Sequence, residues 1–433
     1  MGTRADVESD DELEEWVARD DGSFVQTREP RRTPPLPPSR VRRSRLLTCG
    51  RGLAVALLAY SGSGLGYRLI RMMTAGPGCK VDGQRRVVRI GLLGAAKIAP
   101  FGLLHPARRL SCDVRVVSVG ARDVARAARL ARKWDIPNHG DYSHVISSTD
   151  VDAVYIPLIN GLHYRWAAAA LKAGKHVLIE KPITSNADEA RKLARIAASR
   201  RLVLAEAYHW QHHPIAARLR EIVRSGEIGA PIHLEVTAGL PTPDAIGAAI
   251  KSWLGVRRVG GSPRAKMDVE LGGGNFMGQG CYTVSMARYL LGEPLRVLNA
   301  TAVEDTPGSR ADVATEATLL FPKGVHATVR SSALSLGFNV HLKSTRGSIK
   351  LTNYLFPHIY HSLSVMPDGG PKRVEKLYGD GAPTFELQLA AFARAIRREE
   401  PFPIMPADAI ANMRWIDAIY DATGLGRRPG TSS

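Results

Sequence analysis

The chain has 433 residues, 44% of them hydrophobic, enough for two ordinary domains with real cores plus an extension. Its formal net charge is +18, carried mostly by arginines spread along the whole length. No basic run is interleaved with aromatics and no zinc-finger or RNA-binding signature occurs, which argues against a nucleic-acid partner.

Residues 1 to 85 read as an extension. An acidic run at Asp10–Glu15 is followed by an arginine-rich stretch around Pro34-Pro35-Leu36-Pro37-Pro38. Such a composition cannot bury a core, so disorder with polyproline II character is expected. Residues 52–67 are uncharged and apolar and flanked by Arg51 and Arg68. They fall short of the roughly 20 residues of a spanning helix, leaving three readings: a short membrane anchor, a signal-like stretch, or a helix packed on a partner. Cys49, Cys79, Cys112 and Cys281 lie far apart with no CxxC spacing. Neither a disulfide framework nor a zinc site is expected, which fits a reducing, cytoplasmic setting, with membrane association through 52–67 as the variant.

Residues 86–207 alternate strand and helix, which predicts a doubly wound parallel sheet of the Rossmann kind. Val87 to Leu93 is a strand running into Gly94-x-Ala96-x-x-Ala99, a degraded form of the dinucleotide fingerprint G-x-G-x-x-G/A. Alanine at 96 is tolerable if the backbone there keeps a negative φ. A helical stretch broken by Pro100 and Pro106 follows. The second strand, Val114–Val119, ends without the acid that would grip a ribose 2′-hydroxyl; Gly120-Ala121-Arg122 stands there instead. Arg122, with Arg126 one turn on, suits a 2′-phosphate and so favours NADP, with NAD as the alternative. Ala125–Trp134 is helical, Val151–Pro157 a buried strand, and Tyr164–Ala173 a helix closed by Gly174. Val177-Leu178-Ile179 is a strand that Pro182 must end, so Glu180 and Lys181 sit at a carboxyl edge, where open parallel sheets bind ligands. Ser185-Asn186-x-x-Glu189 opens the next helix as a capping box, and Leu202–Glu206 closes the sheet.

Residues 208–425 change pattern. Pro214–Ser225 is a helix ended by Gly226, and Ile232–Gly239 a strand with His233, Glu235 and Thr237 on one face. Ala317–Phe321 and Val325–Val329 form a hairpin, and strands follow at 339–342 and 348–351. Phe385–Arg398 and Ala407–Thr423 are closing helices, and 426–433 a tail. His209, His212 and His213 lack a carboxylate or cysteine to complete a metal site, so none is expected. Gly272-Gly273-Gly274 lacks the Lys-Ser/Thr of a P-loop and reads as a close-packed loop.

Taken in order, Gly94–Ala99, Tyr155–Tyr164, Ala173–Pro182, Glu206-Ala207-Tyr208, His213-Pro214, Leu271–Gly274, Gly280-Cys281-Tyr282 and Asp408–Met413 resemble the Gfo/Idh/MocA oxidoreductases. The branch with dihydrodiol dehydrogenase and NADP-dependent D-xylose dehydrogenase is the most similar. The resemblance implies an α/β Rossmann domain, an α+β domain with a mostly antiparallel open sheet, and a homodimer. It implies hydride transfer between nicotinamide and a sugar or cyclic diol CH–OH. Gly94, Ala95, Ala96, Lys97, Ile98, Pro157, Leu158, Asn160, His163, Glu180 and Lys181 would then contact the cofactor. Tyr282 would provide acid/base chemistry, with Lys181 as the cation that lowers its pKa. Three positions depart from the family pattern: Gly278 replaces an aspartate, Gln211 an arginine and Ile159 a proline. The loss at 278 and the extension keep open a cofactor-binding scaffold or sensor without turnover, and the resemblance leaves a redox-assisted glycosidase on the same fold as a third reading.

Overall fold

The structure, a computed structural model, describes residues 86–239, 264–333 and 337–430, and the backbone of two short N-terminal segments. The chain divides into two units, Met1–Val55 and Ala56–Ser433. In the first, β1 (Trp16–Ala18) pairs antiparallel with β2 (Phe24–Gln26). The stretch 52–67 lies outside the described residues. No helix among the described residues is long and apolar enough to cross a membrane.

In the second unit, β3 (Val88–Leu93), β4 (Val114–Gly120), β5 (Asn138–Gly140), β6 (Ala153–Ile156), β7 (His176–Ile179) and β8 (Leu204–Glu206) form one sheet in the order β5-β4-β3-β6-β7-β8. Every pair is parallel. Strands buried on both faces read as continuous apolar runs, and Ala153–Ile156 is buried at all four positions. The order reverses between β3 and β6, and their carboxyl ends open the crevice where such sheets bind ligands.

Local chemistry sets the helices. Asn186 caps the Ala187–Ser199 helix, accepting from Asp188 and Glu189 N–H, while Glu189 returns a bond from Ser185 N–H. Gly226 ends the Pro214–Ser225 helix at φ 71°. Two expectations change. Pro100 and Pro106 open helical turns rather than break one: Pro100 starts the π-turn Pro100–Leu104 and Pro106 sits in the first turn of His105–Arg109, where no N–H is needed. The helix after β6 begins at Asn160, not Tyr164, and runs to Lys172, so Asn160 and His163 lie in its first turn.

The second sheet has eight strands: β9 (Pro231–Gly239), β10 (Arg296–Glu304), β11 (Asp312–Leu320), β12 (His326–Ser332), β13 (Gly337–Ser344), β14 (Gly347–Thr352), β15 (Ser362–Pro367) and β16 (Arg373–Glu375). Only β9 and β12 run parallel; the other neighbours are antiparallel. Leu234, Val236 and Ala238 are buried, whereas His233, Glu235 and Thr237 lie on the half-exposed face. The buried face packs on the Cys281–Leu291 helix, whose residues from Cys281 to Arg288 are all buried. Cys112 is disulfide-bonded, which corrects the expectation of unpaired cysteines, and Cys281 is buried and free. Widely spaced cysteines carry no sequence signal for a pairing that the fold creates.

Candidate active site

At the end of β3, Gly94 takes φ 120°, a conformation that glycine alone adopts readily. A Cβ there would stand 2.8 Å from Leu158 Cδ2, so the glycine also lets the turn close against the loop after β6. Ala96 is not among the positive-φ residues, which meets the condition for alanine at that point of the fingerprint. Ala95 and Ala96 are half-buried and Lys97 is exposed. Arg122 is exposed beyond β4 and has no ion-pair partner among the described residues. Arg126 reaches back to Ala95 O at 3.4 Å. A phosphate-bearing dinucleotide fits this arrangement: a bare glycine turn at the switch point with two cations at its rim.

The loop after β6 is pinned from several sides. Asn160 Nδ2 donates to Gly272 O at 2.9 Å and draws the Gly272–Gly274 loop over it. His163 is fully buried, with Nδ1 2.8 Å from Pro182 O and Nε2 3.0 Å from Leu158 O. Burial holds its pKa down at about 4, so the ring is neutral and one nitrogen donates. His163 is therefore packed between the two loops that flank Lys181 and donates to one of the two carbonyls. Among the expected cofactor contacts, Leu158, Asn160 and Lys181 line one cavity and Gly94 packs against Leu158, while Pro157 and His163 are buried.

At the end of β7, Glu180 accepts from Tyr155 Oη at 2.7 Å. Burial pushes the Glu180 carboxyl up, with Lys181 and Tyr155 opposing. Lys181 Nζ donates to Gly278 O and lies 4.4 Å from the centroid of the Tyr282 ring. The lysine thus meets the tyrosine through its ring face, a cation–π contact. The expected lowering of the tyrosine pKa is not what the site produces: burial drives it well above its ordinary value, and Glu180 pushes the same way. Tyr282 stays a neutral phenol, wedged edge-on against Tyr208 and Phe338.

A cavity of about 280 Å³ opens in front of Lys181, lined also by Asn160, Lys266, Asn275, Gly278 and Gln279. A Cβ on Gly278 would meet no atom within 4 Å, so the missing side chain leaves open space beside the lysine. The π-turn Phe276–Gly280 presents both Gly278 O and the start of the tyrosine helix, and such turns recur at functional sites. Lys266, Asn275 and Gln279 carry no motif and were not legible as cavity residues. Glu206 was seen only as part of a motif. It is buried, accepts from Ile183 N–H at 2.8 Å, and is pushed up to about 8 by burial.

The clustered histidines are engaged within the protein. His209 Nδ1 bonds Thr384 Oγ1 at 2.8 Å, and His213 caps the next helix through Ile215 N–H. No group of metal-binding side chains occurs among the described residues.

A doubly wound sheet with a glycine turn at its switch point, joined to an antiparallel sheet beside a lysine-bearing cleft, defines a dinucleotide-dependent oxidoreductase. Residues 88–208 match the oxidoreductase family described as having an NAD-binding Rossmann fold, and residues 216–350 match the GFO/IDH/MocA C-terminal domain. The chain belongs to the Gfo/Idh/MocA family. D-xylose 1-dehydrogenase (NADP(+)) 2 of Haloferax volcanii is 32% identical over 340 residues, 78% of this chain and 97% of the relative. The dTDP-3,4-didehydro-2,6-dideoxy-alpha-D-glucose 3-reductase of Saccharopolyspora spinosa is 32% identical over 280 residues, 64% of this chain and 71% of the relative. A 3-ketoreductase from Actinomadura kijaniata, solved with NADP and TDP-benzene, has a similar fold, with a TM-score of 0.67 at 24% identity over 79% of this chain and 98% of that one.

Proposed function

We propose that the chain is an NADP-preferring oxidoreductase acting on a CH–OH or C=O carbon of a sugar or cyclic diol. Residues 86–207 hold the cofactor and 208–425 shape the substrate site. The observation that carries this reading is Lys181, set at the carboxyl end of β7 in a cavity next to the switch point, with its ammonium against Tyr282. The relatives named above, a D-xylose dehydrogenase and a deoxysugar 3-reductase, support the substrate class.

Bound nicotinamide dinucleotide supplies or accepts the hydride. Gly94, Ala95, Ala96, Lys97 and Ile98 would hold its pyrophosphate, and Arg122 and Arg126 its 2′-phosphate. Lys181 binds the substrate oxygen and stabilises negative charge as it develops there. Tyr282, a neutral phenol in the folded chain, would give its proton to that oxygen when a carbonyl is reduced and regain one from solvent before the next turnover. Glu180, hydrogen-bonded to Tyr155, holds the lysine-bearing turn in place.

Turnover of a sugar and diol panel with NADP and NADPH tests the reading. Lys181→Ala is expected to lower kcat about 10²- to 10⁴-fold while NADPH fluorescence titration still reports binding. Equal rates in both proteins would remove Lys181 from the chemistry, and tight cofactor binding without turnover on any substrate would favour the scaffold. Cofactor choice is tested separately. Arg122→Asp is expected to weaken NADP by about tenfold to a hundredfold, the worth of one charge-assisted phosphate contact, and to reverse the preference toward NAD. Equal affinity for both cofactors in the wild type would contradict the assignment of Arg122.

A further inference from the structure

The amino edge of the parallel sheet, opposite the edge that carries Lys181, holds a second cavity of about 690 Å³. Arg86 before β3 and His176 at the start of β7 form part of its wall. Arg200 and Arg201 enter from the end of the Ala187–Ser199 helix, and Arg397 and Arg398 from the end of the Thr384–Ile396 helix. Two Arg-Arg pairs therefore converge from two helix ends on one space.

Cations at helix carboxyl ends are ordinary, because they complement the macrodipole. That accounts for Arg200 and Arg397, the two C-cap residues. It does not account for their successors. Arg201 has φ 54° and Arg398 φ 63°, left-handed positions that helix ends usually give to glycine. A side chain there strains the backbone, yet both positions carry arginine, and both arginines line the same cavity.

The local carboxylates do not neutralise the set. Asp152 takes Arg86 at 2.9 Å, and Asp113 and Glu399 take Arg397 at 2.9 and 2.7 Å. Arg200, Arg201 and Arg398 have no ion-pair partner among the described residues. The Arg397 side chain is only 7% exposed, yet its Nη1 makes no hydrogen bond, which leaves a buried donor at the cavity wall. His176 Nδ1 accepts from Val203 N–H, so its Nε2 carries the proton and is a further donor.

We propose that this cavity binds a small polyphosphate, a compound bearing a diphosphate or triphosphate group. Guanidinium forks pair bidentately with phosphate oxygens, and several converging forks match several adjacent charges. The volume is that of a small-molecule site. Among the described residues no phenylalanine, tyrosine or tryptophan lines it to stack bases, which favours a compact polyanion over a nucleic-acid strand.

Inorganic pyrophosphate is the probe, titrated calorimetrically into the full chain at fixed ionic strength, with the thermal midpoint read in parallel. The wild type is expected to bind saturably and to gain thermal stability. Arg201→Gly/Arg398→Gly is expected to bind at least a hundredfold more weakly. Its unliganded midpoint should equal or exceed that of the wild type, since glycine suits both positions. Arg122→Asp should bind pyrophosphate as the wild type does. Lack of saturable binding, a double glycine variant that binds normally, or loss of binding in Arg122→Asp would each overturn the proposal; the last would place the anion at the dinucleotide turn.

Discussion

Arg428→Ala is expected to lower the unfolding free energy by about 3 to 5 kcal/mol, because it breaks a buried ion pair and leaves one charge behind. Both Arg428 and Asp312 have side chains with 0% exposure, 3.2 Å apart. The guanidinium also donates to Gly273 O at 2.7 Å and lies 3.8 Å from the Tyr420 ring centroid. Asp312 accepts from Phe276 N–H, Thr315 Oγ1 and Tyr420 Oη, so the stranded carboxylate would keep three donors. That places Arg428→Ala toward the lower end of the range. Asp312→Ala strands a guanidinium whose remaining partners are carbonyls and the Tyr420 ring, and should cost more. The damage would reach the cavity, since Gly273, Gly274 and Asn275 line it and a Cβ on Gly274 would strike Asp312, Arg428 and Tyr420. Urea denaturation measures the effect, and a loss under about 1 kcal/mol would show that the pair is not a structural lock.

Acidification from pH 7 to 5 is expected to destabilise the protein steeply. Burial holds His163 and His358 down at about 4 and His212 and His213 at about 3, and His209 lies well below its ordinary value. These rings are neutral when folded, whereas the unfolded chain protonates them near 6.5. Their contribution is therefore complete above pH 6.5 and is lost as the pH falls toward 4. Three buried carboxyls act in the opposite sense. Glu206 and Asp417 are pushed up to about 8 and about 7, and Glu180 moves the same way, so each gains stability as it protonates on acidification. His105 and His176 are lowered by burial as well, so the depressed histidines outnumber the raised carboxyls and unfolding takes up protons on balance, each net proton being worth about 1.4 kcal/mol per pH unit. Urea midpoints at pH 7.5, 6.5 and 5.5 measure the slope. His212→Leu should flatten it by about one proton, because the Nε2 of His212 has no partner to lose and its ring packs on Phe402. A midpoint that does not move between pH 7 and 5 would contradict the assignment of these histidines as buried neutral rings.

The parallel sheet was legible because its strands are buried on both faces and write themselves as Val-Leu-Ile runs at regular spacing, with glycine and proline marking their ends. The short strand Asn138–Gly140 was missed: it carries no apolar run and exists only because β4 lends it a ladder. The edge strand β16 was missed for the same reason, being three residues defined by pairing rather than by pattern, and β15 beside it was passed over although Leu363 and Val365 alternate with serines. The three hydrophobic turns of a helix announce themselves, but the start at Asn160 does not, since Ile159 is no capping residue and the turn is fixed by Asn160 on Gly272 and His163 on Pro182.

By itself the sequence determined the two-part α/β architecture, the place of Gly94 and Lys181 at strand ends, and the family. Each of these is written in local periodicity and in short motifs whose spacing the backbone obeys. Only the tertiary structure decided how the residues of the candidate site meet. Lys181 meets Tyr282 across 101 positions of chain, through the ring face rather than near a shared proton, and burial, which no motif encodes, keeps the phenol neutral. The same holds for Arg428, whose position near the chain end reads as a tail while its guanidinium is enclosed with Asp312. Desolvation and long-range pairing depend on what the rest of the chain places around a group, so they appear only once the fold has closed.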